Sequence, residues 1–200
     1  RAEVLGRFSF CGYKVIAEKT IGSTLYFVAQ KLNTVSTEEA PSYSPIVKLK
    51  RIGLNGEIIT IHKFRTMHPY SEFIQKDLYE KQGLELTGDK IVDDFRVTLW
   101  GKLLRKYWID ELPQLYDWLR GNITLIGVRC LSDAKYKLYP TDLQQKRIVY
   151  KPGLIPPYYS DLPKCFNEFM ESERNYLKRK SENKFGTDFV YFFKACNNIL

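Results

Sequence analysis

Asp110 and Glu111 stand side by side in the segment KYWIDELPQLYDWLRGN, directly before a leucine, a proline and an apolar repeat. Neighbouring carboxylates can do two different things. One can cap a helix, because its oxygen accepts the free N–H groups of the first turn. The pair can also supply a nucleophile and a helper for attack on an electrophile. Capping needs Asp110 and has no use for Glu111. Cations recur at the ends of other segments: Arg105 in LRK, Lys63 and Arg65 in HKFRTM, and Arg129 in GVRC. All four lie near turns, where working residues collect. Singly each reads as solvated surface charge; as a set they suit an anionic substrate.

The elements that would carry these residues read as α+β: a mainly helical domain with a short β-hairpin, preceded by a small strand-containing element. Residues 12–32 read as two strands around Gly22-Ser23, with β-branched and aromatic residues on both sides. Residues 33–45, rich in Ser, Thr, Pro and Glu, read as a linker. The expected division is therefore 1–40 for the N-terminal element and linker and 41–200 for the main domain. Residues 46–67 predict a second hairpin turning at Asn55-Gly56. Helices are expected over 71–83, with Ser71 as cap and Gly83 as stop, and over the stretch where Val97, Trp100 and Leu104 share a face. In the next helix Leu112, Leu115, Tyr116 and Leu119 follow i, i+3, i+4, i+7, with Asp110 as N-cap, Pro113 in the first turn and Gly121 at the end. A strand at 123–128 and helices at 164–182 and 186–198 complete the reading, the last amphipathic through Phe189, Phe192, Phe193 and Cys196. Trp100, Trp108 and Trp118 are expected in packing.

Two hundred residues suffice for one cored domain with a small appendage. A net charge of +8 favours anionic partners, among them phosphorylated ligands, nucleic acid and acidic membranes. Cys11, Cys130, Cys165 and Cys196 form no C-x-x-C pair, which speaks against a zinc site and a disulfide framework. His62 and His68 lack helical ligand spacing. No segment approaches the ~20 apolar residues that span a bilayer, and the chain starts at Arg1 without methionine, so a preceding part is expected.

RIGLNGEIITIHKFRTM, then DDFRVTLWGKLLRKYWIDELPQLYDWLRGNITLIGVRCLS, then YKPGLIPP together resemble the bacterial sugar transferases, the monotopic phosphoglycosyl transferases. The resemblance covers roughly residues 45 to 158. It implies transfer of sugar-1-phosphate from a UDP-sugar to a polyprenyl phosphate such as undecaprenyl phosphate, with release of UMP. It implies Asp110 as the nucleophile that forms a phosphosugar–enzyme intermediate, Glu111 as its partner, and Mg²⁺ held by Asp110 and Glu111. Lys63, Arg65, Arg105 and Arg129 map onto phosphate-binding positions. The implied setting is the cytoplasmic face of the bacterial inner membrane, with glycan or exopolysaccharide assembly as the context.

Charge makes the converging cations necessary. A carboxylate approaching a diphosphate meets repulsion of about 4 kcal/mol per charge pair at 4 Å and an effective dielectric of 20. A helix N-terminus returns only ~0.3–1 kcal/mol.

The chain departs from the family in three places. G-P-R-P becomes Gly127, Val128, Arg129, Cys130; P-G-I-T-G-x-A-Q-V becomes PGLIPPYYSDL; and residues 12–32 occupy the place of a hydrophobic re-entrant helix. Membrane contact would then be peripheral, with Arg174, Lys178, Arg179 and Lys180 as candidate cations at an anionic surface. Two other readings compete: a non-catalytic nucleotide-sugar-binding relative, and a nucleic-acid-binding domain. The intact acid pair opposes the first. Scattered rather than striped cations oppose the second, so no nucleic acid partner is expected.

Overall fold

A computed structural model describes residues 1–32, 43–75, 77–78 and 94–199. The chain divides into two compact units, one of residues 1–47 and 64–110, the other of 48–63 and 111–200. Helices and two-stranded sheets are mixed throughout, as expected for α+β.

The first unit opens with helix α1 (Ala2–Phe10), which the sequence pattern did not suggest. Its N-cap, Arg1, makes no capping bond, and it carries a glycine, Gly6, in its interior. Packing holds it instead: Leu5 is buried, Phe8 meets Phe27 at 4.6 Å and Phe10 meets Phe73 at 5.1 Å between ring centroids. Strands β1 (Tyr13–Ile21) and β2 (Thr24–Lys31) pair antiparallel around Gly22-Ser23, with an irregularity between Val15 and Ala17. Most of the expected linker lies outside the described residues.

Strands β3 (Ile46–Ile52) and β4 (Ile58–Phe64) form the second hairpin. Asn55 and Gly56, at φ 54° and 80°, make the turn, conformations that Asn and Gly adopt most readily. Ser71 is not a cap. It lies inside a 3₁₀ turn (Ser71–Ile74), where its hydroxyl donates to the His68 carbonyl at 2.6 Å; Gly83 lies outside the described residues. Helix α2 (Leu99–Lys106) starts at Thr98, whose hydroxyl accepts the Gly101 N–H at 2.9 Å. Trp100 is 73% exposed, so its face of α2 is not core.

The second unit contains α3 (Gln114–Leu119), β5 (Thr124–Ile126), α4 (Asp133–Tyr136), α5 (Thr141–Ile148), β6 (Gly153–Ile155), α6 (Tyr158–Asp161), α7 (Phe166–Glu182) and α8 (Lys184–Ile199). β5 and β6 pair in parallel, Thr124 opposite Gly153 and Ile126 opposite Ile155, so the chain needs the crossover that α4 and α5 provide. Ile126, Val128, Leu131, Leu143, Tyr176, Leu177 and Tyr191 form the core. Full burial of a side chain such as Leu143 contributes about 1.5–3 kcal/mol. Ile61, Ile123 and Cys130 form a second cluster beside β3 and β4.

Two surface expectations are corrected here. Lys180 is buried, its ammonium donating to both oxygens of Asp188 at 2.9 and 3.0 Å and to the Tyr176 hydroxyl at 2.7 Å, so it is no surface cation. α8 packs through Thr187, Tyr191 and Ala195, leaving Phe189 and Phe193 exposed. Among the described residues no helix is long and apolar enough to cross a membrane.

Candidate active site

Asp110 and Glu111 sit in one 3₁₀ turn (Ile109–Glu111) that precedes α3. Asp110 does not cap that helix. Pro113 takes the N-cap position with helical φ and ψ of −59° and −20°, and no side chain caps the helix. Asp110 therefore does not play the capping part expected of it.

Glu111 belongs to the second unit and is held on both oxygens. Lys63, at the end of β4, donates its ammonium to Oε1, and Gln114, on the first turn of α3, donates its amide to Oε2. Lys63 and Glu111 are only partly exposed, at 18% and 27%, so solvent screens this pair less than a surface pair. Arg51 and Arg129 feel the same carboxylate. Burial lowers Arg51, and the fields of Cys130 and Glu111 work against that shift. For Arg129 burial again disfavours the charge, but Tyr158 and Glu111 outweigh it and the guanidinium is raised. Arg129 itself is exposed to solvent.

α3 has the predicted period and the opposite orientation. Gln114 and Asp117 are buried at 4% and 0% exposure, while Leu112, Leu115, Tyr116, Trp118 and Leu119 face out. Polar anchoring explains the reversal. Asp117 accepts the His62 backbone N–H on Oδ2 at 2.7 Å and stands 2.8 Å from His62 Nδ1 through Oδ1, while the His62 ring meets Tyr116 edge-on at 5.7 Å. A buried carboxylate satisfied in this way fastens α3 to β4. β4 carries Lys63, and α3 follows Glu111.

In the first unit Asp110 is half-buried. Arg105 donates Nε to the Thr66 hydroxyl at 2.9 Å, and Arg65 donates Nε to the Ser44 carbonyl at 2.9 Å. Asp94 grips Arg96 through both carboxylate oxygens; burial would raise Asp94, but these bonds hold it below the usual carboxylate range. Trp108 lies at φ 56°, so the chain turns sharply between α2 and the acid pair. A bulky residue there stores about 1–3 kcal/mol of backbone strain.

Direct contact thus joins Lys63 to Glu111, and Arg129 lies within its field. Gln114, Arg51, His62, Asp117 and Tyr158 were not singled out as site residues from sequence. Gln114 alone had a legible signal, three residues after Glu111 and on the same side of a turn.

Among the described residues no group of three His, Cys, Asp or Glu side chains could enclose a metal ion. Mg²⁺ does not require one. It is commonly held by one or two carboxylates with substrate phosphates and water, and each Glu111 oxygen keeps a lone pair beyond its hydrogen bond. The Glu111 carboxylate fits that mode.

An α+β domain presenting an acid pair, with one acid braced by ammonium and amide and watched by two guanidinium groups, is built to handle anionic ligands. The chain belongs to the bacterial sugar transferase family, which it matches over residues 20–200. It is 39% identical over 109 residues to the galactosyl transferase CpsE of Streptococcus agalactiae, covering 54% of this chain and 24% of that protein. It is 36% identical over 124 residues to the uncharacterized sugar transferase EpsL of Bacillus subtilis, covering 62% and 54%. The undecaprenyl-phosphate galactose phosphotransferase of Salmonella typhimurium is 32% identical over 109 residues, covering 52% and 23%. The chain thus spans between about a quarter and about half of these relatives' own lengths.

Proposed function

We propose that this chain is a phosphoglycosyl transferase that moves sugar-1-phosphate from a UDP-sugar to a polyprenyl phosphate. The observation that carries the reading is Glu111 clamped between Lys63 and Gln114, within the field of Arg129 and next to Asp110 in one turn. The name of the Salmonella relative supplies the acceptor class.

A carboxylate oxygen of Asp110 attacks the phosphorus that bears the sugar. The bond from that phosphorus to the bridging oxygen breaks, and its electron pair leaves with UMP. An oxygen of the polyprenyl phosphate then attacks the same phosphorus, which returns the Asp110 carboxylate. Neither step needs an oxidant or reductant. Lys63 and Arg129 offset the charge of the phosphate oxygens during both attacks, where fixed donors act without reorganising. Gln114 holds Glu111 in place. Bound Mg²⁺, held by Asp110 and Glu111 with donor phosphate, would neutralise charge on the diphosphate.

The acceptor is a lipid, and each unit exposes an apolar helix face: Leu99, Trp100 and Leu103 in the first, Leu112, Leu115 and Leu119 in the second. Such faces, with a basic chain, suit peripheral attachment to an anionic membrane at the cytoplasmic side of the inner membrane. Glycan or exopolysaccharide assembly is the matching context.

The test is UMP release from UDP-sugar with Mg²⁺ and polyprenyl phosphate, using wild type and Asp110→Asn. We expect a loss of at least about 10³-fold in the variant, and a sugar-phosphate adduct on the Asp110 peptide of wild type quenched before acceptor is added. Retained turnover in Asp110→Asn would remove the nucleophile assignment. Stabilisation by UDP-sugar without any turnover would favour a binding protein.

A further inference from the structure

Arg129 is fixed at its backbone, and one tyrosine governs what remains free. The Arg129 carbonyl accepts Nη2 of Arg147 at 2.5 Å; Arg147 is itself buried, paired with Glu173 and lying 4.8 Å from the centre of the Tyr139 ring. Burial brings the Arg147 guanidinium down to about 10, so it remains charged at neutral pH. Beside it, Gly127 and Gly153 touch backbone to backbone. A Cβ built on Gly153 would lie 2.0 Å from the Gly127 nitrogen. The main chain carrying Arg129 therefore has no room to slide.

The Arg129 side chain is caught by Tyr158, the first residue of α6. The Tyr158 hydroxyl accepts Nη1 of Arg129 at 2.6 Å, and the guanidinium carbon lies 5.8 Å from the ring centre. The ring is itself wedged, with Phe169 of α7 edge-on at 5.1 Å and Tyr159 at 4.5 Å. α6 is tied down on two sides. Ser160 donates to the Tyr191 carbonyl at 2.8 Å, Asn198 donates to the carbonyls of Tyr159 and Ser160 at 3.0 and 2.9 Å, and Ser172 bonds Asp161 at 2.6 Å. Among the described residues no other side chain hydrogen-bonds the Arg129 guanidinium, so its remaining N–H donors are available as a fork for phosphate oxygens.

We propose that Tyr158 is a positioning residue: it holds the Arg129 guanidinium in one orientation and presents the unused edge of the fork to the donor's phosphates. The consequence for turnover rests on the transferase reading above; the restraint on Arg129 does not. Without the hydroxyl, Arg129 would sample several rotamers and present the fork only part of the time, which lowers the effective concentration of the aligned donor set.

Tyr158→Phe deletes the oxygen and keeps the ring packing. The Arg129 Nε–H signal in the NMR spectrum of wild type should be resolved and slow to average, and should collapse toward free-arginine behaviour in Tyr158→Phe at unchanged Tm. An Arg129 signal unaffected by the substitution overturns the proposal. In the UMP-release assay Tyr158→Phe should lose about 5–10-fold in kcat/KM, the scale of one ordinary hydrogen bond. In an Arg129→Ala background it should lose nothing further. Losses that simply add overturn the claim that Tyr158 acts through Arg129. If wild type releases no UMP, the transferase reading fails by itself. The same double cycle is then run on UDP binding by calorimetry, where coupling of the two residues supports the proposal and additivity overturns it.

Discussion

Gly101→Ala separates helix propensity from packing, because the two predict opposite signs. Alanine is about 1 kcal/mol better than glycine inside a helix, and Gly101 lies inside α2, so propensity alone predicts a more stable protein. The structure predicts the reverse. A Cβ at Gly101 would stand 2.0 Å from the Thr66 carbonyl oxygen, 2.7 Å from its carbon and 2.8 Å from its Cα. Ordinary contact begins near 3.4 Å, so the oxygen would need to retreat by 3.4 − 2.0 = 1.4 Å, and it is main chain rather than a flexible tip. Overpacking of this kind costs about 1–3 kcal/mol, occasionally more. The same carbonyl accepts the Thr98 N–H at 2.9 Å, and losing that bond adds about 1 kcal/mol. The net expectation is a loss of about 2 kcal/mol, or about 4–8 °C in Tm for a chain of this size. Thermal unfolding followed by circular dichroism reads the value directly. Function should fall too, because the Thr66 hydroxyl holds Nε of Arg105 at 2.9 Å. An unchanged or raised Tm would refute the close approach of α2 to Thr66.

Further expectations follow from buried charges and from the acid pair. Glu173→Ala strands the Arg147 guanidinium in the core at a cost of about 3–5 kcal/mol, visible as a much lower denaturant midpoint; an unshifted midpoint would contradict the buried pair. Asp94 is held below its unfolded value, so its contribution to stability is present above about pH 4 and is lost as pH falls through the depressed folded value. Asp94→Asn should therefore melt several degrees lower than wild type at neutral pH, with the gap closing in strong acid; a gap independent of pH would refute the assignment. Burial pushes the Cys130 thiol up to about 11, whereas Cys11 and Cys165 are exposed. Iodoacetamide at mildly alkaline pH should label those two and spare Cys130 in the folded protein, as mass spectrometry would report. EDTA should stop UMP release and added Mg²⁺ should restore it, while turnover that persists in chelator would remove the metal from the reaction.

The local elements were legible where one residue type has one strong use. Asn55-Gly56 and Gly22-Ser23 turned where expected. The expected strand at 123–128 narrowed to Thr124–Ile126, and α7 and α8 fell close to the predicted spans. α1 was invisible, because ring contacts with Phe27 and Phe73 hold it rather than caps or propensity. β6 was missed because three residues beginning with glycine carry no strand pattern of their own.

What the sequence determined by itself was the inventory: an acid pair in a specific string, cations at segment ends, and the period of each amphipathic helix. Tertiary structure decided which way those periods face. α3 turns its leucines outward because Gln114 and Asp117 find Glu111 and His62 inside, and no periodicity can tell a packed face from an exposed one. It likewise took Lys180 out of the surface charge by giving it Asp188, and gave Arg129 a tyrosine 29 residues away. The physical reason is common to all three. Burial of a polar or charged group is tolerated only where a partner stands at hydrogen-bond distance, and that distance is set by the fold, not by spacing along the chain.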